Sequence, residues 1–246
     1  MSTDKVFRKR VYLMKGYDSS QFEKMSVAVD LLVFTIENDR LKILLIERSE
    51  DPYANVSALP GVFVGIKETL DEAAKRGIRE ETGLTDIYFE QLYTFGEVER
   101  DPRMRIISVS YMALVPLEKL KFSAGERTLS VYLEDVEELL SSDKKLAFDH
   151  KEIIRYARWR LANKVEYTDI AFHLVDEYFT LSGLQKVYEI LLGKKLYKAN
   201  FRKKISSMTE ETELVTSGDA HRPSRLYRKM DENGDSPQYT NGDSPQ

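Results

Sequence analysis

Cysteine is missing altogether from the 246 residues, which excludes disulfides, thiolate zinc sites and cysteine nucleophiles together. No apolar run approaches the ~20 residues that a membrane helix needs. The opening MSTDKVFRKR is basic but lacks the apolar core of a secretory signal, so a cytoplasmic setting without membrane contact is expected. Net charge is only −4, and that total says little. Two local absences say more. From Lys194 to Lys204 there are six Lys or Arg and no Asp or Glu, and from Arg222 to Lys229 four more without an acid. Such clusters in an otherwise acidic chain are the electrostatic footprint of phosphate contact, although a solvated lysine face has the same composition.

The length suits one domain of about 150 residues and a smaller second one. The expected organisation is an arm over residues 1–24, a larger domain over 25–163, a smaller one over 164–230, and a disordered tail over 231–246. That tail contains NGDSPQ twice, separated by Tyr239 and Thr240, and has no means of packing a core. Met25–Phe34 and Leu41–Glu47 are apolar and β-branched around Glu37-Asn38-Asp39-Arg40, which predicts a hairpin. Ile87–Glu97 and Arg105–Val115 predict two more strands. In the second of these Ile107, Val109, Tyr111 and Ala113 alternate against Ile106, Ser108, Ser110 and Met112. Leu129–Leu140 reads as a strand running into a short acidic helix, and Asp149–Glu152 opens a helix over Ile153–Ala162. His150, alone near that helix start, reads as a cap or surface group rather than a general base.

The chain is organised around Leu59–Leu84, LPGVFVGIKETLDEAAKRGIREETGL. Thr69–Glu81 has no proline and predicts a helix that Gly83 closes. Glu68, Glu72, Arg76, Glu80 and Glu81 fall on or near one stripe of it. Carboxylates beside a glycine-bearing loop suit a hard divalent cation next to a diphosphate, and a solvated acidic face paired to Arg76 and Arg79 is the plainer reading. The stretch resembles the Nudix box, which runs Gly, five residues, Glu, seven residues, then Arg-Glu-apolar-any-Glu-Glu-any-Gly-apolar. Glu68, Arg76, Ile78, Glu80, Glu81, Gly83 and Leu84 match it. Val62 stands where the pattern has its first glycine, and Gly77 where it has a glutamate. Residues 77, 80 and 81 lie one helical turn apart, so the family arrangement implies three carboxylates round one metal site, of which Gly77 removes one. The resemblance therefore implies a Nudix fold kept for binding, with hydrolysis lost or weak, no catalytic residue and no required cofactor. If Mg²⁺ were held, Glu80 and Glu81 would be the ligands, helped by Glu68 or Glu97, and restoring a glutamate at Gly77 would raise hydrolysis.

Beyond the box, Tyr93-Thr94-Phe95-Gly96 followed by Arg100-Asp101-Pro102-Arg103 resembles the segment that, in NrtR-type regulators and ADP-ribose-specific Nudix enzymes, contributes to the nucleotide-sugar pocket. Arginines suit a diphosphate and aromatics an adenine face. With Arg48 at a strand end and Phe63 in the box loop, the implied ligand set is Arg48, Phe63, Glu80, Glu81, Phe95, Arg100, Asp101 and Arg103. As plain composition, the charged turn from Glu99 to Arg103 reads as a solvated hairpin loop.

In the smaller domain Thr180 is a plausible N-cap for a helix over Leu181–Leu192. Its Leu184, Val187, Tyr188, Leu191 and Leu192 recur at helical spacing, and Gly193 ends it. A second helix from about Lys198 to Met208 and the strand-turn-strand of ETELVT, GDAHRPS and RLYRKM complete the pattern of a winged helix-turn-helix. LSGLQKVYEILLGKKLYKANFRKKI and HRPSRLYR resemble the C-terminal winged helix of NrtR-type regulators. The expected fold is therefore α+β: a Nudix α/β/α sandwich with a mixed sheet, then a small winged helix. That resemblance implies a homodimeric repressor of NAD-related metabolism that binds operator DNA and an ADP-ribose-like effector. Lys198, Asn200, Arg202, Lys203 and Lys204 would read DNA from the helix, with Arg222 and Arg225 on the wing. An active Mg²⁺-dependent ADP-ribose pyrophosphatase and a sugar-responsive regulator of the same architecture remain alternatives.

Overall fold

The computed structural model describes residues 19–85, 87–121, 128–216 and 223–230; the start of the arm, the tail and Arg222 lie outside them. Strand β1 (Ser26–Glu37) and β2 (Arg40–Arg48) form the expected hairpin. Asn38 and Asp39 turn it with φ of 50° and 63°, the left-handed conformation that Asn and Asp tolerate best and that matches the strands' twist. The chain then adds β3 (Ser57–Ala58) and β4 (Gly61–Phe63), helix α1 (Leu70–Thr82), β5 (Tyr88–Phe95), β6 (Ile106–Leu114) and β7 (Thr128–Asp135). Helix α2 (Val136–Ser141) and the longer α3 (His150–Lys164) follow. The seven strands form one mixed sheet, in which β1 runs parallel to β6 and antiparallel to β2 and β4.

β1 is buried on both faces because successive side chains point oppositely. Val29, Leu31 and Val33 join Ala73, Ala74 and Ile78 of α1 on one face. Leu32 and Phe34 join Val136, Leu139, Ile153, Ile154 and Ala157 of α2 and α3 on the other. This is the expected three-layer sandwich. Helix α1 starts one residue later than predicted, because Thr69 caps it: its hydroxyl accepts from the Glu72 N–H at 3.2 Å, and Glu72 returns a carboxylate to the Thr69 N–H at 2.7 Å. This reciprocal cap satisfies donors that a helix start otherwise leaves open. Gly83 ends the helix at φ 69°.

The smaller part comprises α4 (Leu181–Leu192), α5 (Lys198–Ile205) and the antiparallel pair β8 (Thr209–Val215) and β9 (Arg225–Lys229). Thr180 caps α4 through the Gly183 N–H, and α4 keeps its predicted bounds. Helix α5 ends at Ile205 rather than Met208, because the Thr209 hydroxyl takes the Ile205 carbonyl and turns the chain into β8. The expected division at residues 163 and 164 falls at the last turn of α3. It is no break in packing: Leu161 and Val165 share one apolar cluster with Leu184, Tyr188 and Leu191 of α4 and with Leu32 and Phe34 of the sheet. Among the described residues no helix is long and apolar enough to cross a membrane.

Candidate functional site

A cleft of about 730 Å³ opens where β1, β2, β4, α1 and the start of α3 converge. That size suits a small-molecule ligand. Its floor is a buried polar network assembled from three distant segments. Asp30, the one charge within the apolar run of β1, accepts from the Ser108 hydroxyl at 2.5 Å and from Nη2 of Arg100 at 3.1 Å. Arg100 also donates through Nε and Nη2 to Asp149, at 2.9 and 2.6 Å. Burial works against the charge on Arg100, but Asp149 and Asp30 more than offset it and raise its pKa. The turn containing it is therefore not the solvated loop of its composition, since both Arg100 and Asp101 are buried.

His150 is neither a cap nor a surface group. It is 4% exposed and lines the cleft. Its Nδ1 accepts the Leu59 N–H at 2.9 Å, which leaves the ring proton on Nε2, 3.7 Å from Asp30. Burial lowers its pKa, against the pull of Asp30 and Asp149. It is a neutral, fixed donor, not a poised base.

The walls alternate guanidinium and ring. Arg48 lies over Phe148 with 5.1 Å to the ring centroid, and Arg103 lies between Phe148 and Phe63 at 5.6 and 5.8 Å. Asp101 fixes Arg103 by accepting from its backbone N–H and, bidentately, from its guanidinium at 3.0 and 2.7 Å. The Arg48 guanidinium donates to the carbonyls of Pro52 and Glu50. Phe148 holds φ at 54°, a conformation that costs a phenylalanine on the order of 1–3 kcal/mol and marks functional sites when packing enforces it.

Helix α1 contributes the carboxylates. Glu68 is committed to the loop: it accepts from the Gly65 N–H at 2.6 Å and from Arg76 at 2.7 and 3.2 Å. The Arg76 bond, then the Gly65 amide, lowers its pKa. Glu80 lies 3.6 Å from Arg76. Glu81 has a buried Oε2 without a hydrogen-bond partner among the described residues, and burial, with Glu80 beside it, pushes its pKa to about 6. Residue 77 offers no third carboxylate beside them. A Cβ at Gly77 would meet Leu31 Cδ1 at 2.7 Å and both Val62 methyls at 3.3 Å. The two departures from the Nudix box thus face each other, with Val62 and Leu31 filling the space that a side chain at 77 would enter. Among the described residues no three His, Asp or Glu are grouped to hold a metal ion.

The cleft brings together Arg48, Phe63, Glu80, Glu81, Arg100, Asp101 and Arg103. Phe95 is excluded. It sits across from Ser108 on β5, where the Tyr156 ring of α3 covers it at 6.0 Å with Tyr93 beside it at 5.4 Å. Glu97 does not line the cleft either; its carbonyl takes Arg105. Sequence reasoning missed Asp30 and Phe148. The signal for Asp30 was a lone carboxylate in an apolar strand; nothing local marked Phe148.

On α5, Phe201 and Ile205 are buried, with Phe201 against Tyr188 at 5.3 Å, while Lys198, Asn200, Arg202 and Lys203 are exposed. The turn before it is locked by α4. Gln185 donates to the Leu196 carbonyl, and Glu189 accepts from the Leu196 N–H, both at 3.0 Å. Lys195, with that amide, holds Glu189 down to about 2. Lys204 is exposed as well, but donates to the Glu166 carbonyl and lies over the Tyr188 ring. On the wing Arg225 pairs with Glu211 at 2.9 Å.

Comparison with known proteins agrees with this division. Residues 26–157 match the NUDIX domain model and residues 171–229 the NrtR DNA-binding winged helix domain. The chain is 36% identical over 216 residues to the ADPR responsive transcriptional repressor NtrR of Acinetobacter baylyi, covering 86% of this chain and 85% of that protein. It is 41% identical over 136 residues to the ADP-ribose pyrophosphatase of Methanocaldococcus jannaschii, covering 55% of this chain and 75% of that protein. The crystal structure of Shewanella oneidensis NrtR with a 27mer DNA superposes with a TM-score of 0.73 at 32% identity, covering 83% of this chain and 93% of that one. The NUDIX domain of that same protein with ADP ribose matches at a TM-score of 0.53 and 30% identity, covering 65% and 99%. The chain therefore belongs to the Nudix family, in the NrtR branch that joins a Nudix domain to a winged helix.

Proposed function

We propose that the chain is a transcriptional repressor of NAD-related metabolism, working in the cytoplasm as a homodimer. Its cleft takes ADP-ribose, and α5 with the wing binds operator DNA. One observation carries this reading: a cleft of paired guanidiniums and rings, closed at residue 77 to a catalytic carboxylate, shares its core with a helix that exposes Lys198, Asn200, Arg202 and Lys203. Guanidiniums match phosphate oxygens bidentately and rings match a base face. The relatives named above, one ADPR-responsive and one solved with DNA, support it.

The test runs two assays side by side. ADP-ribose with Mg²⁺ is followed for AMP and ribose 5-phosphate, and binding to DNA upstream of the chain's own gene is measured with and without ADP-ribose. Slow turnover and salt-sensitive DNA binding that ADP-ribose changes are expected. Efficient turnover with no salt-sensitive DNA binding overturns the reading in favour of the pyrophosphatase. A response to arabinose in place of ADP-ribose moves the effector to a sugar. Replacing Arg202 and Lys203 by Ala should weaken DNA binding at least tenfold and make its salt dependence shallower by roughly 1–2 in log–log slope. Unchanged affinity excludes α5 as the reading helix.

Glu81 predicts the pH dependence. Its folded-state pKa of about 6 lies above the ordinary 4.5, so its contribution to folding is complete below 4.5 and lost as pH rises through 6. The protonated form also tolerates a diphosphate better than the anion does. Without divalent metal, ADP-ribose should bind several-fold more tightly at pH 5.5 than at pH 7.5, and Glu81→Gln should remove that step. A wild-type affinity that rises with pH would contradict this.

A further inference from the structure

We infer that helix α3 carries the effector signal, entering at the Arg100–Asp149 clasp and leaving through Arg158; this rests on the sensor reading above. The two ends of α3 touch different machinery. At its start His150 lines the cleft, and Asp149 occupies the cap position without giving the helix a side-chain bond. The Asp149 carboxylate is committed instead to Arg100, itself a cleft residue. Two turns on, about 12 Å at 1.5 Å per residue, Arg158 reaches out of the domain. Its Nη1 donates to the Leu191 carbonyl at 2.7 Å and Nη2 to the Ile190 carbonyl at 3.5 Å, while Nε takes Glu137 at 2.5 Å. Leu191 and Ile190 are the last turn of α4, where helix carbonyls lack partners within the helix. Immediately beyond lies Gly193 at φ 66°, then the turn into α5, which Gln185 and Glu189 hold onto α4.

An anionic ligand in the cleft competes with Asp149 for Arg100. Asp149 then has an alternative at hand in its own helix start: the His150 and Glu152 amides already donate to the Ala147 and Asp149 carbonyls, and among the described residues the Lys151 amide between them is the one left for an aspartate at the cap position. The start of α3 thus has two arrangements, and a ligand that prefers one shifts the equilibrium between them. A helix passes displacement along its length, and among the described residues Arg158 is the α3 side chain that hydrogen-bonds to α4.

Arg158→Gln tests this in the full chain. ADP-ribose affinity and effector-free DNA affinity are expected to stay within about threefold of wild type. The ratio of DNA affinities with and without ADP-ribose is expected to fall at least tenfold towards one. An unchanged ratio overturns the route while leaving the sensor reading intact. A wild-type chain whose DNA binding ignores ADP-ribose overturns the sensor reading and the route with it. Should Arg158→Gln bind no DNA, Asp149→Asn probes the same route from the other end. Loosening the clasp is expected to move effector-free DNA affinity towards the ADP-ribose-bound value, and a variant that still responds in full overturns the proposal.

Discussion

Replacing Gly77 by Glu is expected to destabilise the chain by about 2–4 kcal/mol and to add no metal-dependent hydrolysis. The box pattern alone suggests the opposite, because residue 77 stands where the family has a metal-site glutamate. Packing reverses the sign. The added Cβ would lie 2.7 Å from a methyl of Leu31, which is 1% exposed, and 3.3 Å from two methyls of Val62. The buried Leu31 side chain would have to shift its methyl, the half-buried Val62 at the cleft wall would have to give way, and the carboxylate beyond would enter an apolar layer with Val29, Ala73 and Ile78. Relief of the helical glycine returns only about 0.5–1 kcal/mol. Thermal or urea unfolding measures the loss, and Gly77→Ala isolates its steric part. Val62→Gly combined with Gly77→Glu should recover a good share of the deficit, because that pair restores the box at both positions. A single Gly77→Glu variant that folds normally and hydrolyses ADP-ribose would show that the cleft is ready for metal after all.

How much was legible beforehand followed the range of the interactions. Thr69, Thr180, Gly83 and Gly193 act within four residues of themselves, and each does what its residue type dictates. The hairpin at Asn38 and Asp39 and the alternation along β6 are equally local. The cleft floor is not. Asp30 and Arg100 are 70 residues apart, and Arg100 and Asp149 a further 49, so no window of sequence contains the network. Composition reads Glu99–Arg103 as a wet turn because it cannot see the buried carboxylates waiting for Arg100. His150 suffered the same fate, since the Leu59 amide that fixes its tautomer lies 91 residues away. Phe95 failed differently: its residue type suited a ligand, but Tyr156 of α3 takes up its ring. A composition shift near Lys164 likewise cannot reveal that α3 and α4 bury one continuous core.

Arg100 is also costly to remove, because it joins carboxylates from two distant segments. Arg100→Met should destabilise the chain by about 3–5 kcal/mol, the usual cost of stripping one partner from a buried charge cluster. Its side chain is 4% exposed and faces Asp30 at 8% and Asp149 at 18%. Methionine fills much of the volume but supplies no donor, so Asp30 keeps Ser108, with His150 Nε2 at 3.7 Å, while Asp149 loses both of its guanidinium bonds. Arg100→Lys should recover part of the loss, since an ammonium restores charge without the fork that spans two carboxylates. The decisive comparison is Arg100→Met with Asp30→Asn. If the damage is an uncompensated carboxylate, the double variant should be more stable than Arg100→Met alone, giving a coupling energy of about 1–3 kcal/mol. Additive losses from the two substitutions would mean that Arg100 acts through packing, and that the floor of the cleft is held by shape and not by charge.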